Sequence, residues 1–113
     1  MHELSIAQAI VSLADSEARR EQAQRVEIVT VAVGILSGIV PDSLEFCFPA
    51  AAGGTLVEGA ELRIERIEGV GFCRPCDRDF PMAELLTPCP RCGEFASEIR
   101  AGDELRVRTL DIV

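Results

Sequence analysis

The residues with the clearest chemical potential are five cysteines and a single histidine. Four of the cysteines form two Cys-x-x-Cys pairs, Cys73-Arg74-Pro75-Cys76 and Cys89-Pro90-Arg91-Cys92, with twelve residues between the pairs. Each pair at this spacing can fold as a tight knuckle whose backbone amides point at the sulfurs, so that two ligands are presented from one side of a tetrahedron. Two knuckles complete it. Four thiolates with no vacant position describe a structural Zn(II) site, because a catalytic zinc keeps one position for water or substrate. Gly93 directly follows the second pair, where the chain leaving a knuckle needs positive φ. Two disulfides, or a redox dithiol at Cys89 and Cys92, are the alternatives. A thioredoxin-like dithiol would lie between a strand and a helix of a βαβ unit, and the pattern around these cysteines shows no such unit.

The histidine is His2. A second residue of this size blocks removal of the initiator, so Met1 is expected to remain and to carry the free α-amine. That amine, the deprotonated backbone nitrogen of His2 and its imidazole can bind one metal through fused, nearly coplanar rings. All-nitrogen, square-planar coordination suits Ni(II) or Cu(II) rather than Zn(II) or Mg(II). The backbone nitrogen or carboxylate of Glu3, another protein or water could take the fourth position. Taken alone, a histidine this close to a chain end is more often an exposed residue of a frayed terminus, and Glu3 a solvated carboxylate favoured near a helix N-terminus.

These groups must be carried by the rest of the chain. Ser5 with Gln8 forms a capping-box signature, and Ile6, Ala7, Ile10, Val11, Leu13, Ala14 and Ala18 then recur at helical spacing. From Val26 to Val33 the sequence turns β-branched and apolar on both faces, as a central strand does. Gly34 to Gly38 make a turn. Pro41-Asp42-Ser43-Leu44-Glu45 starts a second helix with Asp42 and Glu45 in capping positions. Leu44, Cys47 and Phe48 share one of its faces, and Cys47 reads as a small buried apolar residue. Pro49 is expected to end or kink that helix, and Gly53-Gly54 to release the chain.

Residues 61–68 and 104–112 each alternate polar and apolar, as half-exposed strands do, and the cysteine stretch lies between them. The expected fold is therefore α+β, with two helices on a three-stranded mixed sheet and a zinc-ribbon-like four-cysteine module inserted between the second and third strands. Those two strands are expected to pair as an antiparallel hairpin with the module at its tip. Residues 1–68 and 100–113 would form the α+β domain, and residues 69–99 the zinc-binding module. Phe72, Phe80 and Phe95 flank the cysteines and suggest a small separate core. About 30 residues are too few to be held by apolar burial alone, whereas metal binding contributes ~10 to 16 kcal/mol in isolated zinc peptides.

Composition narrows the function. The chain has 113 residues and a formal net charge of −8. A dication held by four thiolates would make it more negative. Such a surface repels phosphate backbones, which argues against nucleic-acid binding. No stretch is long enough to span a bilayer and no basic segment precedes an apolar run at the start, so no membrane association is expected. Metal-held, reduced cysteines agree with a cytoplasmic location. No nucleophile, base pair or substrate pocket can be named, and the chain does not read as an enzyme.

Taken together, these segments resemble the HypA/HybF family of hydrogenase nickel-incorporation proteins. The resemblance rests on Met1-His2-Glu3-Leu4-Ser5, Arg25-Val26, Gly34-Ile35-Leu36-Ser37-Gly38 with Pro41, Leu44 and Phe46, Gly54-Thr55, Glu58-Gly59-Ala60 and both cysteine pairs. The double knuckle occurs in many families. Its combination with an N-terminal Met-His-Glu is far more specific. The resemblance implies a nickel metallochaperone that delivers Ni(II) to the large subunit of [NiFe]-hydrogenase, works with the GTPase HypB, in some organisms also serves urease, and is a monomer or weak homodimer. Carried over by position, His2 with the Met1 amine and Glu3 would bind nickel, and Cys73, Cys76, Cys89 and Cys92 structural zinc. Some relatives carry histidines near the zinc cysteines, and this chain has none there. Two other classes remain open from the residues alone: a zinc-ribbon adaptor binding protein or nucleic acid, and a rubredoxin-like electron carrier.

Overall fold

A computed structural model describes residues 2–113. Its elements in chain order are α1 (Glu3–Arg20), β1 (Val26–Gly34), α2 (Pro41–Ala52), β2 (Glu61–Ile67), β3 (Gly69–Cys73), β4 (Arg78–Met82), β5 (Glu98–Ala101) and β6 (Leu105–Ile112). They divide into two compact units. The first comprises Met1–Val31, Val40–Glu65 and Arg106–Val113, and the second Ala32–Ile39 and Arg66–Leu105. There are two three-stranded sheets, in the orders β2-β1-β6 and β4-β3-β5.

In the sheet β2-β1-β6, β1 is central, as its apolar faces predict. The expected hairpin is not formed, because β1 separates the two strands that were to pair. Val26 N donates to Leu56 O (2.8 Å) and Ile35 N to Ile67 O (3.0 Å), so partner numbers rise together and β1 runs parallel to β2. Gln24 N donates to Val113 O (2.6 Å) and Gly34 N to Glu104 O (2.8 Å), so β6 runs antiparallel. The sheet is mixed. A parallel pair needs a crossover between its strands, and α2 supplies it. Alternation in residues 61–68 and 104–112 identified two half-exposed strands correctly, but it carries no information about which neighbour each will take.

α1 buries Ile6, Ala7, Ile10, Val11, Ala14 and Ala18 and packs on α2. Leu13, expected on that face, is half exposed. The alanines explain the close packing: a side chain that ends at Cβ lets a neighbouring element approach. The helix starts earlier than the capping box suggested. His2 is its N-cap, without a side-chain cap hydrogen bond, and Ser5 already lies inside it. Asp15 ties the C-terminal half of the helix to the segment after α2: its Oδ1 accepts from Leu56 N (2.9 Å) and its Oδ2 from Arg19 Nε (2.9 Å). The Arg19 bond, then that of Leu56, hold its carboxyl below the usual carboxylate range.

α2 is likewise capped by backbone alone. Val40 is the N-cap and Pro41 opens the helix, where its missing N–H costs nothing. Asp42 lies in the first turn rather than capping it. Nor does Pro49 end the helix, which continues to Ala52. Both Pro49 and Glu45, whose carbonyl would have accepted the missing bond, are exposed, so water can satisfy the orphaned oxygen. Leu44, Phe48 and Ala52, four residues apart, form the buried stripe. Leu44 is fully buried. Leu44→Ala is therefore expected to destabilise the first unit by about 2–5 kcal/mol, read as a lower urea midpoint of its transition.

In the second unit, β3 pairs antiparallel with β4 and with β5, with an irregularity between Val70 and Gly71 on the β5 side. Its core is Leu36, Cys73, Phe80, Met82 and Cys89, with Ile35, Cys76, Ala96 and Ile99 packed against it. Two of the three expected phenylalanines are not in that core: Phe95 is 62% exposed, and Phe72 lies half-buried with the Arg100 guanidinium 4.0 Å above its ring. Leu36, from the turn after β1, takes a core place. Gly34 begins this turn, and a Cβ there would overlap the carbonyl of Gly102. Ser37 closes it, its N and Oγ both donating to Gly34 O.

Candidate metal centre

In each knuckle, backbone N–H groups reach the first sulfur. The Cys76 amide points at Cys73, and the Cys92 and Arg91 amides at Cys89. β3 delivers Cys73 at its last residue. The turn Arg74 to Asp77, closed by Asp77 N to Arg74 O (3.1 Å), brings Cys76 back. In the second knuckle Gly93 N donates to Cys89 O (2.9 Å) and Cys89 N to Glu94 O (2.8 Å). Gly93 has φ of 81°, the left-handed conformation its position after the pair predicts.

The four Sγ atoms lie within 4.8 Å of one another. Cys73 Sγ is 3.5 Å from Cys92 Sγ, and Cys89 Sγ is 4.0 Å from Cys76 Sγ. Four sulfurs around a tetrahedral zinc with ~2.3 Å bonds would be about 3.8 Å apart, so the two distances bracket that value and the donor set fits the ion. None of the four is in a disulfide, and no helix lies within Gly69–Ala101, which removes the βαβ setting of a redox dithiol. Cys73 and Cys89 are buried, Cys76 half-buried and Cys92 exposed, so the site sits at the edge of its core.

The thiols differ in acidity. The Cys92 thiol, followed by burial, pushes Cys76 up to about 12. The amides of Cys92 and Arg91 pull Cys89 down to about 7. At Cys73 the Cys76 amide favours the thiolate, but burial and the neighbouring Cys92 and Cys89 thiols outweigh it and raise the pKa. Without metal, therefore, Cys73 and Cys76 hold their protons more firmly than an ordinary thiol, and a divalent ion must displace them on binding.

The single histidine lies in the first unit. His2, at the N-cap of α1, is exposed with extended backbone (φ −85°, ψ 147°), and its carbonyl accepts from Ile6 N (3.2 Å). His2 and Glu3 line an open cavity of about 630 Å³ with Leu4, Ser5, Asp42, Ser43, Phe46 and Cys47. Among the described residues, only the four cysteines gather as many as three side-chain donors, so His2 and Glu3 share a cavity without a formed side-chain cage. Met1, whose amine belongs to the expected chelate, lies outside the described residues. Cys47 is half-buried at the cavity wall rather than a core residue. That Asp42, Ser43, Phe46 and Cys47 face His2 was not visible in the sequence, because the packing of α2 on α1 places them there.

The sequence model of a family described as hydrogenase/urease nickel incorporation, metallochaperone, HypA matches residues 1–112. The chain belongs to the HypA family. A hydrogenase maturation factor HypA of Geobacter sp. strain M21 is 46% identical over 112 residues, 99% of each chain. One from Chlorobium limicola is also 46% identical, over 99% of this chain and 97% of that one. The solution structure of the Ni metallochaperone HypA from Helicobacter pylori superposes with a TM-score of 0.68 at 25% identity, covering 100% of this chain and 98% of the other. A second HypA solution structure gives 0.69 at 27% identity, covering 100% of this chain and 97% of the other. HypA membership agrees with the resemblance drawn from the Met-His-Glu start and the double knuckle. Among the described residues, no helix of this HypA chain is long and apolar enough to cross a membrane.

Proposed function

We infer that the chain is a nickel metallochaperone whose two units handle two different ions. The first unit takes Ni(II) through the Met1 α-amine and the backbone nitrogen and imidazole of His2, with Glu3 beside them. The second holds Zn(II) on Cys73, Cys76, Cys89 and Cys92 as a structural ion that closes its small core. The cargo goes to the large subunit of [NiFe]-hydrogenase, with a HypB-type GTPase as partner. The chain does this in the cytoplasm, as a monomer or weak homodimer, and some family members also serve urease. The role is carriage rather than catalysis.

The observation that carries the nickel reading is the place of His2 at the N-cap of α1. The first N–H groups of a helix have no intrahelical acceptor, so the backbone nitrogens of His2 and Glu3 can lose their protons to a metal without breaking the helix. The His2 carbonyl, meanwhile, stays bonded to Ile6 N. The chelating nitrogens are thus anchored on one side and free on the other, as a donor that must release its cargo requires. Membership of the HypA family supplies the identity of the ion.

The free amine gives a direct test. A chain bearing an uncleaved N-terminal extension keeps His2, Glu3 and all four cysteines but loses the terminal amine. Isothermal titration with Ni(II) is expected to show affinity reduced by at least about tenfold, since an intramolecular chelate ring is lost, while zinc content stays at one per chain. Equal nickel affinity with and without the extension would remove the amine from the site.

A further inference from the structure

The second unit contains a cleft of about 250 Å³ lined by Arg78, Asp79, Phe80, Pro81, Cys89, Pro90 and Arg91, and neither arginine has an ion-pair partner among the described residues. The one acidic residue of the lining is already engaged, as Asp79 Oδ1 lies 3.7 Å from Arg100 Nε. Both arginines sit on fixed backbone. Arg78 is held by β4, opposite Cys73 in the register with β3, and the Arg91 amide is held against the Cys89 sulfur. Pro81 and Pro90 have no N–H to offer, and Phe80 is buried. The lining therefore combines two arginines free of ion pairs among the described residues with the apolar Phe80, Pro81 and Pro90. We propose that this cleft binds a single carboxylate flanked by apolar side chains on a partner polypeptide.

The chemistry narrows the ligand in two ways. Guanidinium groups match a planar carboxylate through paired N–H donors, and apolar neighbours of that carboxylate can cover Phe80, Pro81 and Pro90. A polyacidic run is excluded by the rest of the chain, since a net charge of −8 penalises each further negative charge brought near. The same argument excludes a nucleic-acid backbone.

The test uses zinc-loaded, full-length protein labelled with ¹⁵N and three probes: the capped peptides Ac-Leu-Glu-Leu-NH₂ and Ac-Leu-Gln-Leu-NH₂, and inorganic phosphate. The glutamate peptide is expected to shift the Arg78 and Arg91 Nε–H resonances saturably, and the glutamine peptide is not. Arg78→Gln and Arg91→Gln should each weaken the glutamate peptide by at least about tenfold, the loss of one charge-assisted hydrogen-bonded pair. Each variant should retain one zinc per chain, since both side chains are exposed. Three outcomes would overturn the proposal: no saturable shift with the glutamate peptide, an affinity unchanged in both variants, or phosphate binding at these resonances while the peptide does not.

Discussion

Tight Ni(II) binding is expected to disappear in His2→Ala while the protein keeps one zinc per chain and its fold. The substitution removes the imidazole and with it the ring that the side chain closes through its own backbone nitrogen. The remaining amine and amide nitrogens cannot by themselves make the nearly planar all-nitrogen set that Ni(II) favours. Structural loss should be small. His2 is exposed, and its side chain makes no cap hydrogen bond to α1. Absorption and titration of untagged wild type beside His2→Ala would separate the two ions: the d–d spectrum of nickel should vanish while zinc content holds at one. In cells, the same variant should lose hydrogenase maturation. Wild-type nickel affinity in His2→Ala would exclude the N-terminal site and with it the delivery role.

Stripping the four-cysteine centre should have the opposite pattern. A strong chelator, or Cys73→Ser, is expected to unfold the second unit and leave the first folded. Metal binding in isolated zinc peptides contributes ~10 to 16 kcal/mol, and the core cluster of the second unit has only five buried residues, two of them ligand cysteines. The first unit has no such dependence, because its buried residues, from α1, α2, the start of β1 and Val57, include no cysteine of the cluster. Circular dichroism should retain the helical signal, while amide exchange in β3, β4 and β5 loses its protection. Zinc release should be faster at acid pH, because protons compete for sulfurs of which Cys73 and Cys76 bind theirs more tightly than an ordinary thiol. A single cooperative loss of all structure on chelation would contradict this division.

The parts of the molecule that could be read from sequence were those encoded locally. The Cys-x-x-Cys spacing specifies a knuckle within five residues, and the sulfurs lie as that spacing requires. The β-branched run from Val26 located a central strand because burial on both faces leaves no polar alternation. Legibility ended where partners are chosen at long range. Residues 61–68 and 104–112 alternate alike, yet they pair with opposite edges of β1 and in opposite directions. Leu36 looked like part of a turn and proved to be core of the second unit, for no periodicity marks a single residue. The start of α1 was placed too late and the cap of α2 was assigned to Asp42 and Glu45, because side-chain capping was sought while the chain uses backbone at His2 and Val40; the start of α2 at Pro41 was read correctly. The cavity at His2 is legible only in part. His2 and Glu3 were named from their chemistry, but Asp42, Ser43, Phe46 and Cys47 meet them through tertiary packing.

The order of strands β2-β1-β6 also constrains biosynthesis. On the ribosome, β1 and β2 emerge early, but β6, which covers the other edge of β1, follows only after β3, β4 and β5. Until then, the central strand of this sheet has one naked edge, which is an aggregation hazard for nascent polypeptides. By the time Leu105–Ile112 appears, both cysteine pairs have already been translated. Zinc capture that shortens this long excursion would lower the entropic cost of bringing β6 back to β1.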